Sequence, residues 1–197
     1  MRWQSIVLAD ADVSLAQFCD GSAARGWYIR LDEEIPWQQH RVRLFGREIE
    51  CPRLSCWIGD ADAVYTYSQM RFEPQPWTSA LRELQASVSS LCGEKFNSVL
   101  CNLYRDGRDS MGWHSDDEPE LGPEPIIASL NFGASRRFRL RHRCKRSRGV
   151  DLVLENGSLL RMAGATQKLY RHDVPKTRAL VGPRINLTFR RIHAAAD

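Results

Sequence analysis

Short stretches in which apolar and polar residues alternate fill the chain from residue 98 to residue 191, and turn residues separate them. Side chains of an extended strand point alternately to its two faces, so a period of two predicts β-strands. The predicted strands cover 98–104, 126–132, 136–143, 151–155, 158–162, 167–171 and 184–191. Many short strands joined by turns are typical of an antiparallel sandwich or barrel.

A helix is predicted near the N-terminus. Leu15, Phe18 and Cys19 recur at helical spacing, which indicates one apolar helix face. Asp12 precedes them as a candidate N-cap, and Gly26 follows as a candidate stop. We therefore expect a helix between Asp12 and Gly26.

Three more elements are predicted before residue 98. Residues 5–8 have the composition of a short strand, and residues 41–51 alternate on both sides of Gly46, which predicts a β-hairpin. Between residues 77 and 91 the apolar positions recur at intervals of three and four, and Gly93 follows them. This pattern predicts a second helix that ends at Gly93.

Composition favours one soluble domain. The chain has 197 residues, of which 43% are hydrophobic and 26% charged, which is enough for a sizeable core. It contains no apolar run long enough to span a bilayer, and its N-terminus is too acidic for a signal peptide. The six cysteines include no Cys-x-x-Cys pair, which favours reduced thiols in the cytoplasm or nucleus. We expect a monomer that binds no membrane.

Candidate metal ligands follow the strand at 98–104. His114 and Asp116 are two residues apart, so in an extended segment both side chains point to the same side. His172 follows a predicted strand further along the chain. Two imidazoles and one carboxylate on one face of an iron ion leave positions open for substrate and dioxygen. A zinc hydrolase uses the same types of ligand, so these three residues alone leave both metals possible.

The last predicted strand carries two arginines on one face. Its polar face consists of Arg184, Asn186, Thr188 and Arg190, opposite an apolar face of Ile185, Leu187 and Phe189. An ordinary solvent-exposed strand would have the same pattern. Inside a small barrel, however, each buried guanidinium needs an anion. A dicarboxylate such as 2-oxoglutarate offers one carboxylate to each arginine, and Asn102 and Tyr104 on another strand can add hydrogen bonds.

Taken together, these motifs resemble those of the AlkB family, whose members are Fe(II)- and 2-oxoglutarate-dependent dioxygenases that remove alkyl damage from nucleic-acid bases. The matching residues, in chain order, are Asn102-x-Tyr104, Gly107, Trp113-His-Ser-Asp-Asp-Glu118, Ile126-Ile-Ala-Ser-Leu, His172 and Arg184-x-Asn-x-Thr-Phe-Arg190. Several motifs in a fixed order are far more specific than any one of them. The resemblance covers roughly residues 35–192.

The resemblance implies an α+β, mainly β fold: a double-stranded β-helix (jelly-roll) core over about 95–192, N-terminal helices, and a lid and hairpin over about 35–75. It implies His114, Asp116 and His172 as iron ligands. The 2-oxoglutarate contacts that it implies are Asn102, Tyr104, Arg184, Asn186, Thr188 and Arg190. The implied substrate lid and base-edge residues are Tyr65, Tyr67, Ser68, Asp117 and Glu118, with Tyr67 stacking on the flipped base.

Two further features point to a nucleic-acid partner. Residues 136–148 contain eight arginines or lysines and no acidic residue, and the strand pattern places Arg137, Arg139 and Arg141 on one side. The alternative is a solvated sheet face, but such faces usually mix positive and negative charges, and a row of arginines suits a phosphate backbone. Phe45 at the hairpin tip is a candidate wedge that fills the gap left by a flipped base, or else a core residue.

The expected activity is therefore oxidative demethylation of bases such as 1-methyladenine and 3-methylcytosine in DNA, single- or double-stranded, with Fe(II), 2-oxoglutarate and O2. Three alternatives remain at this point. RNA could be the main substrate, or the same chemistry could act on a small molecule or a protein. The chain could also be a nucleic-acid binder that has lost its metal, which the intact set of ligands and both arginines disfavour.

Overall fold

A computed structural model of the chain describes residues 1–44, 47–67, 70–144 and 149–193. For residues 42–44, 47, 65–67 and 70–72 it describes the backbone alone. The elements up to residue 97 are β1 (Gln4–Ser5), β2 (Asp12–Gln17), α1 (Gly21–Glu34), β3 (Arg41–Leu44), β4 (Arg47–Glu50), β5 (Leu54–Gly59), β6 (Tyr65–Tyr67), β7 (Met70–Phe72) and α2 (Ser79–Cys92).

The elements beyond residue 97 are mostly strands. They are β8 (Ser98–Tyr104), β9 (Met111–His114), a 3-10 turn (Pro119–Leu121), β10 (Ile127–Gly133), β11 (Arg136–His142), β12 (Gly149–Leu154), β13 (Ser158–Ala163), α3 (Thr166–Leu169), β14 (Tyr170–Val174) and β15 (Arg184–Arg190). Every strand pair within the sheets is antiparallel.

Two facing sheets form the centre of the molecule. The larger has seven strands in the order β1-β2-β13-β10-β15-β8-β5, and the smaller has four in the order β12-β11-β14-β9. Side chains from both sheets share one apolar cluster that includes Trp57, Ile127, Phe138 and Tyr170. This architecture, with the helices set to one side, confirms the expected mainly β jelly-roll fold.

The two long helices cover the other face of the larger sheet. Leu31 of α1 and Leu84 of α2 are completely buried in a second apolar cluster together with Leu187 of β15. Helix α2 begins where the Thr78 hydroxyl accepts a hydrogen bond from the Leu81 amide at 3.3 Å, and it ends at Gly93. The backbone of Gly93 has φ +68°, which glycine adopts without steric cost. The larger sheet is therefore buried on both faces.

The expected helix between Asp12 and Gly26 is wrong. Residues 12–17 form β2, which pairs with β1 on one side and β13 on the other. Helix α1 instead begins at Gly21, where the Asp20 carboxylate accepts a hydrogen bond from the Ala23 amide at 2.8 Å, and Gly26 lies inside it. Pairing with β13 gives this segment backbone hydrogen bonds that its local pattern could not reveal, so tertiary structure outweighed helical spacing.

Two other predicted strands lie at different positions in the structure. The short strand expected at 5–8 is found at Gln4–Ser5, and the strand expected at 167–171 begins at Tyr170, after the helical turn α3. The remaining predicted strands and the second helix are confirmed to within a few residues. The hairpin is confirmed as β3 and β4, while its tip at Phe45 and Gly46 lies outside the described residues.

All six cysteines are free thiols. None of the helices in the described ranges combines the length and the apolarity that spanning a bilayer requires.

Candidate metal centre and adjoining cavity

Two neighbouring strands of the smaller sheet carry the predicted histidines. His114 at the end of β9 is the register partner of His172 in β14, and Asp116 follows β9 by two residues. One potential ligand atom from each of the three residues lies within 4.8 Å of the others. The structure thus brings together the three side chains that the sequence singled out.

The orientation of His114 is set by a backbone contact. Its Nδ1 lies 2.8 Å from the carbonyl oxygen of Gly112, and because that oxygen can only accept, Nδ1 carries the hydrogen. Nε2 is then the ring nitrogen that can bind a metal ion. The ring meets that of His172 edge-on, with 4.2 Å between centroids.

His172 is buried and neutral. Its ring stacks on Phe138 with 5.2 Å between centroids, and its Nε2 lies 3.6 Å from Oδ2 of Asp116. Burial, aided by the nearby His114, lowers the pKa of His172 to about 3, despite the opposing effect of Asp116. The imidazole therefore has a lone pair available for a cation at neutral pH.

Asp116 holds a buried negative charge. Burial raises the pKa of its carboxyl, but Arg190 and the two histidines outweigh that effect and leave the pKa at about 2. Oδ1 accepts a hydrogen bond from Nη2 of Arg190, whereas Oδ2 is buried without a hydrogen-bond partner. The backbone amide of Asp116 donates to Oε1 of Gln167 at 3.0 Å, which fixes the loop.

These donors suit a divalent cation. A buried carboxylate oxygen without a hydrogen-bond partner is costly, and a metal ion beside it would remove that cost. Two imidazoles and one carboxylate on one side of the ion match the facial arrangement of non-haem iron oxygenases. The residues present therefore fit Fe(II).

Behind the metal ligands lies a cavity between the two sheets, and Arg184 is its most buried charged group. The side chain is 1% exposed, and its guanidinium lies 5.0 Å from the centre of the Tyr104 ring. Its Nη2 donates to Oδ1 of Asn131 at 2.5 Å, while Nε and Nη1 have no hydrogen-bond partner. Burial lowers the pKa of Arg184 to about 10, so it is a cation at neutral pH. Among the described residues no carboxylate forms an ion pair with it.

The other predicted cosubstrate contacts line the same cavity. Asn186 donates to the Ser129 hydroxyl at 2.8 Å and accepts from the Thr188 hydroxyl at 3.2 Å. The residues that line the cavity include Asn102, Tyr104, Arg184, Asn186, Thr188 and Arg190. A polar wall around one unmatched guanidinium suits a small anion with further hydrogen-bonding atoms.

Arg190 differs from Arg184, although both lie on one face of β15. Arg190 forms an ion pair with Asp116, so this arginine already has an anion from the chain itself. Among the described contacts, the anion expected for each arginine is therefore supplied by the chain at Arg190, and a ligand carboxylate at Arg184 stays a prediction. Arg190 also lines the second cavity, which opens in front of the metal ligands.

The sequence did not single out several residues of this region. Asn131 and Ser129 are polar residues two apart in the otherwise apolar strand β10, a signal that the sequence carried. Arg53 donates from Nε to Oδ1 of Asn102 at 2.8 Å, and with Trp57 it lines the cavity in front of the metal ligands. Nothing local in the sequence distinguished Arg53 from other arginines.

The predicted base-pocket residues are only partly described. The backbones of Tyr65 and Tyr67 belong to β6, which pairs with β7, while their side chains, like Ser68 and Phe45, lie outside the described residues. Asp117 is exposed and accepts a hydrogen bond from Arg143. Glu118 is half-buried.

The arginines of β11 alternate as predicted, but the surface around them is not of one sign. Arg139 contacts Asp173 of the neighbouring strand at 2.8 Å from Nε, and Arg141 forms an ion pair with Asp151. Arg137 lies 3.9 Å from the same Asp151. Aspartates close in space but distant in sequence therefore offset part of the charge that residues 136–148 alone suggested.

Comparison with known proteins gives a consistent picture. The family model of the 2OG-Fe(II) oxygenase superfamily matches residues 12–190. The human alkB homolog 3 dioxygenase is 43% identical over 173 residues, covering 83% of this chain, and the chain spans 60% of that protein. Human DNA oxidative demethylase ALKBH2 is 36% identical over 200 residues, covering 96% of this chain and 77% of that protein.

A solved structure supports the fold. OsALKBH1 superposes with a TM-score of 0.64 over 96% of this chain and the whole of that chain, at 14% sequence identity. At that identity the likeness concerns the fold.

Proposed function

Because the chain belongs to the AlkB family, within the 2OG-Fe(II) oxygenase superfamily, we propose that it oxidatively removes alkyl groups from the nitrogen atoms of DNA bases. The family implies Fe(II), 2-oxoglutarate and O2 as the reactive partners. The observation that carries the proposal is the cluster of His114, Asp116 and His172 beside a cavity with one unmatched buried arginine.

The metal would be held by His114, by Asp116 and by His172. In His114 the Nδ1 atom is hydrogen-bonded to Gly112, which leaves Nε2 for the metal. In Asp116 the Oδ1 atom is hydrogen-bonded to Arg190, which leaves Oδ2. When bound, Fe(II) with 2-oxoglutarate and O2 supplies the oxidant that hydroxylates an N-methyl group, which then leaves as formaldehyde. Arg190 keeps the Asp116 carboxylate in place through its ion pair.

The cosubstrate would be anchored by Arg184. Its unmatched Nε and Nη1 can each donate a hydrogen bond to an oxygen of 2-oxoglutarate, and the charge of the guanidinium strengthens these bonds to a carboxylate. Asn102, Tyr104, Asn186, Thr188 and Arg190 line the same cavity and complete the proposed contacts. Burial of this cavity excludes water, which strengthens each of these interactions.

The alkylated base would enter the open cavity in front of the metal ligands. We assign Tyr65, Tyr67, Ser68, Asp117 and Glu118 to the base pocket and Phe45 to a wedge in the duplex. Arg137, Arg139 and Arg141 would face the DNA phosphates. Arg137 and Arg141 would exchange Asp151 for the anionic backbone, whereas Arg139 would keep its ion pair with Asp173. The name of the relative ALKBH2, a DNA oxidative demethylase, supports DNA as the polymer.

The proposal is tested by assembling the protein with Fe(II) and 2-oxoglutarate without oxygen, then adding O2 and an oligonucleotide that contains 1-methyladenine or 3-methylcytosine. We expect formaldehyde in proportion to repaired base, from a DNA strand offered single or in a duplex. An RNA strand of the same sequence measures the preference between polymers. Oxidation of 2-oxoglutarate without any loss of the methyl group would contradict the proposed substrate.

His114→Ala is expected to abolish demethylation, because two of three ligands bind iron too weakly to hold it during turnover. Formaldehyde release and metal content are the two measurements. His193→Ala is the matched control, since His193 is an exposed histidine outside the cluster. Full turnover by the His114 variant would refute the ligand assignment.

A further inference from the structure

Trp113 has an unusual position beside the metal ligands. Its side chain is 43% exposed, and it is the one aromatic residue among the exposed large apolar side chains of the described residues. It directly precedes His114 in β9 and lines the cavity in front of the metal ligands. An exposed indole at the mouth of this cavity has a cost in water that a stacked partner would remove.

Arg139 supports the indole from one side. Its guanidinium lies 4.8 Å from the centre of the Trp113 ring, within the range of a cation–π contact. The guanidinium is held by Asp173, through Nε to Oδ1 at 2.8 Å and Nη2 to Oδ2 at 2.5 Å. A bidentate ion pair to the neighbouring strand therefore keeps both the guanidinium and the indole in a defined orientation.

Arg139 also lines a different, basic cleft. The other residues around that cleft include Arg137 and Lys176, both exposed, and Ser135 and Thr177. Among the ion pairs of the described residues, Arg137 has only a long contact of 3.9 Å to Asp151, and Lys176 has none. The aromatic surface at the mouth and a cleft suited to an anion thus meet at one side chain.

We propose that Trp113 stacks on the base next to the one being repaired, and that the phosphate beside that base lies in the cleft of Arg137 and Lys176. This inference rests on the proposed function, because it assumes a nucleic-acid strand in the open cavity. Every base has an aromatic face, so such a contact tolerates any sequence. It also requires a neighbour that is unpaired or unstacked, which favours single strands.

The test measures equilibrium binding by fluorescence anisotropy, with the protein loaded with Mn(II) and 2-oxoglutarate. Labelled pentanucleotides carry a central 3-methylcytosine, and an abasic residue replaces the neighbour on the 5′ side, on the 3′ side, or on neither. We expect the wild-type protein to lose roughly tenfold in affinity when the stacked neighbour is removed on one side. Equal affinity for all three strands would overturn the proposal.

Variants separate stacking from a role in stability. Trp113→Leu should bind the intact strand roughly tenfold more weakly and should no longer distinguish the abasic strand. Trp113→Phe keeps an aromatic face and should keep part of that distinction. If Trp113→Leu still binds the abasic strand roughly tenfold more weakly than the intact strand, the indole only supports the sheet and the proposal fails.

The cleft is tested with Lys176→Ala, and Lys95→Ala is the matched control because Lys95 is an exposed lysine outside the cleft. Lys176→Ala should weaken all three strands alike and reduce the slope of log affinity against log salt by about one. If the two variants have equal slopes of log affinity against log salt, the phosphate does not bind in the cleft.

Failure of the proposed function has a different signature. In that case no methylated strand releases formaldehyde, whereas the comparison of strands with and without the neighbouring base still reports on stacking. Conversely, the protein could demethylate DNA while its affinity does not depend on the neighbouring base. That result would reject the role of Trp113 and leave the proposed function intact.

Discussion

Arg184 and Arg190 lie six positions apart on the same face of one strand, yet their electrostatic surroundings differ. Arg190 is paired with Asp116, whereas Arg184 donates to the neutral side chain of Asn131 and has no hydrogen-bond partner at Nε and Nη1. A fully buried guanidinium without an anion destabilises the protein that surrounds it. An anionic ligand in the cavity would remove that cost.

Arg184→Met should therefore have opposite effects on stability and on binding. We expect the ligand-free variant to be as stable as the wild type or more stable, because a buried charge without an anion is removed. Its affinity for 2-oxoglutarate should fall by at least about 30-fold, since losing one partner of a buried charged pair costs about 2 kcal/mol or more. Thermal unfolding and anaerobic calorimetry measure the two quantities.

Arg190→Met serves as the comparison on the same face. It removes the partner of Asp116, so it should lower stability and weaken Mn(II) binding as well as cosubstrate binding. Unchanged 2-oxoglutarate affinity in Arg184→Met would show that the anion lies elsewhere.

At the scale of elements, β15 shows how one strand serves both the core and the site. Leu187 and Phe189 pack under the helices, while Asn186 and Thr188 face the cavity, and all seven residues of the strand are buried. The sequence pattern of one apolar and one polar face would ordinarily indicate a solvent-exposed strand. Here the polar face is covered by the smaller sheet, so its polar groups must bind each other or a ligand.

Substitutions on the two faces of β15 should separate stability from cosubstrate binding. Leu187→Ala should lower the free energy of unfolding by about 2–5 kcal/mol, because it leaves a cavity in a completely buried cluster. Thr188→Val keeps the volume but removes the hydroxyl that donates to Asn186, so the KM for 2-oxoglutarate should rise with a smaller loss of stability.

Chemical denaturation and steady-state kinetics measure these two outcomes. If Leu187→Ala changes the KM for 2-oxoglutarate as much as Thr188→Val does, the separation between the faces does not hold.

At the scale of the molecule, the site draws on residues that are distant in sequence. Strands β9 and β14 of the smaller sheet contribute the histidines, while β8, β10 and β15 of the larger sheet contribute the cavity wall. An unfolded chain cannot bring these groups together. Ligands that bind here must therefore bind the folded state selectively and stabilise it.

Binding of a metal ion or of 2-oxoglutarate should consequently raise the melting temperature of the protein. At 100 times their dissociation constants, Mn(II) or 2-oxoglutarate each stabilise a selectively bound folded state by about 2.7 kcal/mol. For a chain of this size that corresponds to a rise of roughly 5–11 °C per ligand. Differential scanning calorimetry with and without a chelator measures the effect. His114→Ala should lose the part due to metal, and an equal rise in that variant would contradict the ligand set.

Much of the architecture followed from local pattern. Most strands of the C-terminal half, the hairpin at 41–51 and helix α2 were predictable because period and turn residues agreed there, whereas β9 was not predicted and β14 begins later than expected. Residues 12–17 were predicted wrongly because their pattern suited a helix. They form a strand because they pair with β13, which begins at Ser158 and is far away in the sequence. Long-range pairing of this kind leaves no local trace.

The sequence by itself determined which residue types recur in order, and therefore the family, the three candidate ligands and the polar face of β15. Only the tertiary structure decided how the charges are shared: Arg190 with Asp116, Arg139 with Asp173, and Arg184 without an anion. The physical reason is that ion pairing depends on distance and burial, which arise when the two sheets close on each other. Spacing along the chain determines to which face of a strand a side chain points, but not which residues of another strand or sheet lie opposite it.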